Sequence, residues 1–245
     1  MNRSPIKPGY QIKLEAEPVI MLQKREKCGK TVLMIVDMQR YFIDESSDYS
    51  RYFNMLYPGS LQYIRETCLS TVIPNIKKLK QLFSESGDPV VYLRLCGSDP
   101  ERKDLHNFFY ESWSQGFGKG FDAVYPLQND PMAGVIDELR PGPGDIVIDK
   151  TTFSPFSSTM IEKELSQMEA ETIVFTGLAT SQCVETTARD ASDRDYRIIH
   201  IYDAQADYDN NTHEASLYCS RGVCGGIIYD TDFYINLYKN GGVLI

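Results

Sequence analysis

A set of short apolar runs constrains this chain more than any other feature. TVLMIVD (Thr31 to Asp37), PVVYLRL (Pro89 to Leu95), DIVIDK (Asp145 to Lys150), ETIVFTG (Glu171 to Gly177) and YRIIHIYD (Tyr196 to Asp203) share the signature, and GGIIYD (Gly225 to Asp230) offers a sixth. Runs without polar alternation are what strands look like when both of their faces are covered. Between them Ile73, Ile76, Leu79, Leu82 and Phe83, and later Ile161, Leu165 and Met168, fall at helical spacing. Strands alternating with helices require crossover connections, so the expected fold is α/β: a doubly wound, mostly parallel six-stranded sheet with helices on both faces.

The remaining features bound the answer. Residues 1–30 are polar and broken by Pro5 and Pro8, and read as an N-terminal extension that packs along the surface or reaches a neighbouring subunit. Residues 31–245 read as one domain, long enough to bury a core without staples. Lys13 and Glu15 interrupt the stretch where a secretory leader needs an apolar centre, and no run approaches the ~20 apolar residues of a membrane span. Six cysteines without a C-x-x-C pair point to a reducing, cytoplasmic setting, with the thiols other than Cys183 read as core residues. A net charge of −9 disfavours nucleic acid as a partner. Two connections, Met38 to Gly59 and Cys96 to Gly144, are too long for turns and are expected to be pocket-forming loops or lids.

Ligands of open α/β sheets bind beyond the carboxyl ends of the strands, so the ends of the runs are where chemistry is sought. The first run ends in Asp37, the third in Lys150, and the fourth leads through GLATSQ to Cys183 at the first turn of a helix. Each has an ordinary alternative: a buried thiol, a turn-forming aspartate, a solvated lysine. Together they are chemically complementary. A helix amino end and a nearby cation favour the thiolate, and a carboxylate in reach can take a thiol proton and return it to a leaving amine. A nucleotide-binding reading requires a G-x-G-x-x-G turn after the first strand, where DMQRYF stands instead.

IVDMQRYF, GDIVIDKTTFSPFSST and TGLATSQCVETTARDASDRDYRIIHIYDA occur in the order seen in the isochorismatase-like cysteine hydrolases, which this chain resembles from about Thr31 to its carboxyl end. HEASL, around Glu214, resembles the ureide-acting branch. The resemblance implies a three-layer fold and a triad of Asp37, Lys150 and Cys183. It implies an oxyanion hole of the Ala179 and Cys183 N–H groups, with a cis peptide at Leu178–Ala179, and a homodimer or homotetramer. It implies no cofactor. Nicotinamidases of this kind carry an Asp/His metal cluster after the aspartate motif, yet Met38 to Cys96 holds no histidine, so no metal is expected. The siderophore-type isochorismatases lack the cysteine that is present here. The expected activity is hydrolysis of a small carboxamide or ureide, such as biuret, triuret or ureidoacrylate, through a cysteine thioester. N-carbamoyl amino acids, simple amides and a non-catalytic scaffold role stand as alternatives. Tyr41, Phe42, Trp113, Phe153 and Gln205 are the expected pocket residues, Gln205 as a hydrogen-bonding partner for a carbamoyl edge.

Overall fold

A computed structural model describes residues 29–221 and 226–240. Six strands, β1 (Lys30–Val36), β2 (Val90–Leu95), β3 (Ile146–Lys150), β4 (Ala170–Leu178), β5 (Arg197–Ala206) and β6 (Ile227–Tyr229), form one sheet in the order β3-β2-β1-β4-β5-β6. Every pairing is parallel. The expected extension lies almost wholly outside the described residues. Val32 to Val36 of the central strand are wholly buried, which is why this stretch shows no polar alternation.

Helices cover both faces. Ile73–Ser86 buries Ile73, Ile76, Leu79, Leu82 and Phe83, as the spacing predicts, and ends on Gly87 in the left-handed region at φ 72°. It packs with Thr231–Lys239. Ile161–Gln167, Glu185–Ser192 and Asn210–Ser220 pack on β4 and β5. Burial of each large apolar side chain contributes roughly 1.5–3 kcal/mol. No helix among the described residues is long and apolar enough to cross a membrane.

The two long connections both reach the cavity described below, as expected, but as helices rather than plain loops. Met38 to Gly59 contains helices Arg40–Ile43 and Asp48–Leu56, the second capped by the Ser47 side chain on the Ser50 N–H. Cys96 to Gly144 contains helix Asn107–Phe117. Tyr41, Tyr49 and Tyr52 are buried, with their rings in contact with Phe42, Phe53, Phe121 and Tyr125.

Candidate active site

The strand order reverses at β1, so the carboxyl ends of β1 and β4 flank the crevice where such sheets bind ligands. Asp37 follows β1 with φ at 52°, a left-handed conformation that aspartate tolerates better than most residues and that costs on the order of 1–3 kcal/mol. Its N–H is held by the Leu93 carbonyl at 3.0 Å and its carbonyl accepts from Gln39 N at 2.8 Å. The Gln39 carboxamide donates to the Leu95 and Ala133 carbonyls and accepts the Leu95 N–H at 2.7 Å, fastening the end of β1 to the end of β2.

Lys150, at the end of edge strand β3, extends past β2 and is wholly buried. Its Nζ donates to Asp37 Oδ2 at 2.9 Å, to the Thr152 carbonyl at 3.2 Å and to Cys183 Sγ at 3.3 Å. An ammonium has three protons, so each is engaged. Cys183 lies on a π-helical turn, Thr180–Val184, that leads into helix Glu185–Ser192. That turn is tied down along its length. Ser181 N–H donates to Asp207 Oδ2 at 2.6 Å, Thr180 Oγ1 and His213 Nδ1 are 2.7 Å apart, and Thr187 Oγ1 donates to the Cys183 carbonyl at 2.6 Å. The structure therefore brings Asp37, Lys150 and Cys183 into one buried cluster.

Burial raises the Asp37 pKa, opposed first by the Lys150 charge. Burial acts to lower Lys150, but Asp37 and Cys183 outweigh it and the ammonium is held above its ordinary value. Burial, followed by the charge of Asp37, pushes the Cys183 thiol well up, with Lys150 opposing. Burial and the Asp37 charge thus act against the thiolate, while Lys150 acts for it, in keeping with a thiol that gives up its proton to a neighbouring base. Asp37 Oδ1 has no hydrogen-bond partner of ordinary geometry.

The cluster opens on a small cavity lined by Asp37, Cys183, Ala179 and Phe42, and by Tyr49 and Tyr208, which were not among the expected pocket residues. Its volume of about 20 Å³ holds about one water-sized molecule as it stands, so anything larger enters only as the lining side chains give way. Leu61, a further wall residue, also lines a wider outer cleft of about 390 Å³ with Arg51, Gln62 and Arg65. Tyr208 was within reach of the strand-end rule, since it lies two residues past β5, and Tyr49 lies in the Met38 to Gly59 connection read as pocket-forming, though nothing marked that residue itself.

Of the expected pocket residues only Phe42 lines the cavity. Tyr41 is wholly buried behind it with its hydroxyl on the Leu95 carbonyl at 3.1 Å. Phe153 packs on Phe109, which itself lines the cavity, with ring centroids 4.5 Å apart. Trp113 donates to the Asp122 carbonyl at 3.0 Å and packs on Tyr110 and Phe117. Gln205 lies inside β5 rather than past its end, because the β4–β5 pairing jumps from Phe175↔His200 to Gly177↔Gln205. Its Nε2 donates to the Phe175 carbonyl at 2.9 Å across that irregularity. The expected cis peptide at Leu178–Ala179 is also corrected: no cis bond occurs among the described residues. The trans form avoids the ~2.5–4 kcal/mol cost of a non-proline cis bond. The chain is steered toward the site instead by Gly177 at φ 103°, where an added Cβ would fall 2.0 Å from the Val36 carbonyl oxygen. Cys68, Cys96 and Cys219 are free, and Cys219 is exposed, contrary to its reading as a core thiol; Cys28 and Cys224 lie outside the described residues. No group of three or more His, Cys, Asp or Glu among the described residues is placed to hold a metal ion.

Residues 31–229 match the isochorismatase domain. A ureidoacrylate amidohydrolase of Pseudomonas syringae pv. syringae is 28% identical over 219 residues, 86% of this chain and 79% of that protein. Another, from Methylorubrum extorquens, is 42% identical over 195 residues, 76% of this chain and 70% of that protein. Among solved structures, a cysteine hydrolase from Pseudomonas syringae pv. phaseolicola superposes with a TM-score of 0.71 at 24% identity, covering 92% of this chain and 99% of that one. N-carbamoylsarcosine amidase from Thermoplasma acidophilum superposes with a TM-score of 0.59 at 27% identity, covering 83% of this chain and 97% of that one. With a match that runs through every strand from Thr31 onward and a sheet of the same kind, the chain belongs to the isochorismatase domain family.

Proposed function

We propose that this protein is a cysteine amidohydrolase that cleaves a C–N bond of a small carboxamide or ureide through a thioester on Cys183. The observation that carries the reading is the buried Lys150 ammonium bonded at once to Asp37 and Cys183 beside a cavity. The names of the relatives, ureidoacrylate amidohydrolase and N-carbamoylsarcosine amidase, support the same bond type.

Asp37, ionised and with Oδ1 unengaged, removes the thiol proton as Cys183 Sγ attacks the carbonyl carbon. Lys150 holds the carboxylate in place and offsets the charge developing on sulfur. The tetrahedral oxyanion is received by the backbone N–H groups of Ala179 and Cys183, both of which line the cavity. Asp37 then gives its proton to the departing ammonia or amine, leaving an acyl or carbamoyl thioester. A water molecule deprotonated by Asp37 cleaves that bond, and the proton returns to sulfur.

An ammonia-release screen over small ureides and amides, with Cys183→Ala as control, tests the reading. Turnover by the wild type, its loss in a folded Cys183→Ala protein, and a mass increase on Cys183 equal to a trapped acyl group are expected. Turnover retained in Cys183→Ala removes the nucleophile.

A further inference from the structure

Tyr49, on helix Asp48–Leu56, and Tyr208, after β5, both line the cavity and meet hydroxyl to hydroxyl at 2.9 Å. A phenol has one proton. Whichever of the two donates, the other keeps a proton for a second acceptor. Among the described residues neither hydroxyl has a further hydrogen-bond partner. The pair thus offers the cavity one unused donor with oxygen lone pairs beside it, the complement of a carbonyl and an N–H.

The charges point the same way. Among the described residues lining the cavity none is Arg, Lys or His, and the protons of Lys150 are taken by Asp37, Thr152 and Cys183. Asp37 itself lines the cavity, so a substrate carboxylate held there would meet a charge of its own sign. A substrate carboxylate would find no cation there, only neutral groups such as the tyrosine pair and Gln182, and a like charge nearby.

We propose that the Tyr49–Tyr208 hydroxyl pair determines specificity by binding the distal half of the substrate, and that this half is an uncharged amide-like group rather than a carboxylate. The inference rests on the hydrolase reading above and narrows its substrate class to neutral compounds with two amide-like groups. Ordering the pair against each other fixes both rings before the substrate arrives.

The test compares wild type, Tyr49→Phe and Tyr208→Phe on biuret, on N-carbamoylglycine, which ends in a carboxylate, and on propionamide, which has no distal polar group. Wild-type kcat/KM is expected to favour biuret over N-carbamoylglycine by about tenfold or more, since a neutral group escapes the repulsion. Each Phe variant should raise KM for biuret roughly three- to tenfold, the loss of one hydrogen bond, with a clearly smaller effect on propionamide. A purely structural role for the tyrosines would impair both compounds alike, and that result, or a preference for N-carbamoylglycine, overturns the inference. Calorimetric binding of biuret to Cys183→Ala, alone and with each Phe substitution, reads the same preference without turnover. Tyrosine-dependent binding alongside a wild-type enzyme inactive on all three compounds supports this inference and overturns the hydrolase reading. Turnover without tyrosine discrimination does the reverse.

Discussion

Replacing Asp37 by Asn is expected to raise the acidity of Cys183 while abolishing turnover. The substitution removes one unit of charge with almost no change of shape. Asp37 Oδ2 and Cys183 Sγ touch the same Lys150 Nζ, at 2.9 and 3.3 Å, so they lie within about 6 Å of each other. Two unit charges ~6 Å apart repel by about 3 kcal/mol at an effective dielectric near 20. That is roughly a hundredfold in the thiolate population at a fixed pH. Without the carboxylate the ammonium also acts on sulfur unopposed, in the same direction. Iodoacetamide labelling across a pH series, resolved by peptide mass spectrometry, should therefore show Cys183 of the Asn variant alkylated about a hundredfold faster near neutral pH. Ammonia release should fall by ~10²–10⁴, the usual contribution of a general acid–base group. Breaking a buried pair costs ~3–5 kcal/mol, so local opening has to be separated from acidity. Cys68, buried elsewhere and with its thiol pushed up to about 12 by burial, serves as the control: it should stay unlabelled. Unchanged or slower labelling of Cys183, with Cys68 protected, would refute the claim that Asp37 keeps the sulfur protonated.

Further outcomes follow from the same geometry. Burial holds His200 and His213 down at about 4, below their ordinary 6.5. The unfolded chain takes up these protons near pH 6.5 and the folded one does not. The stability they contribute is thus present above pH 6.5 and is lost as pH falls toward 4, about 3 kcal/mol for each. Asp37 and Asp207, both raised mainly by burial, act in the opposite sense, so the comparison is with His213→Asn at each pH. Urea unfolding should lose less stability on acidification in the variant, and equal losses contradict the assignment. Gly177→Ala places a Cβ against the Val36 carbonyl in a left-handed backbone and should cost at least about 3 kcal/mol, read as a lower Tm; wild-type stability would show that β4 can shift away from β1 freely. Leu61→Ala should cost about 2–3 kcal/mol and join the outer cleft to the cavity, moving the size preference toward bulkier amides; an unchanged preference shows that Leu61 is not the dividing wall.

The candidate site was legible where a single physical rule governs placement. Strands buried on both faces carry uninterrupted apolar runs, so the last residues of the runs located Asp37 and Lys150 and the turn of Cys183. The rule fails where pairing is irregular. Gln205 looked like a residue past a strand because the register jump that extends β5 to Ala206 leaves no mark in composition. Helix Asp48–Leu56 was hidden for another reason: its aromatic residues pack sideways on Phe42, Phe121 and Tyr125, so their spacing did not resemble a helix lying on a sheet. The balance acting on the thiol was less legible: the helix amino end and Lys150 favour the thiolate, while the depth of burial and the charge of Asp37, which only the packed structure shows, oppose it.

The identity of the cation follows from the order of the strands. β3 stands two places from β1, which at ~4.8 Å per strand sets their backbones roughly 9–10 Å apart. A short side chain ending β3 could not meet a group following β1. Lysine combines the reach with a compact ammonium whose protons can point to three acceptors that lie in different directions, whereas the planar fork of arginine suits two parallel ones. Asp37 does the complementary work: its left-handed backbone turns the chain at the end of β1 and leaves Oδ2 on Lys150 and Oδ1 without a partner. A carboxylate whose ion pair is made by one oxygen keeps the other for a proton, so the proposed reaction does not require Asp37 to break its pair with Lys150.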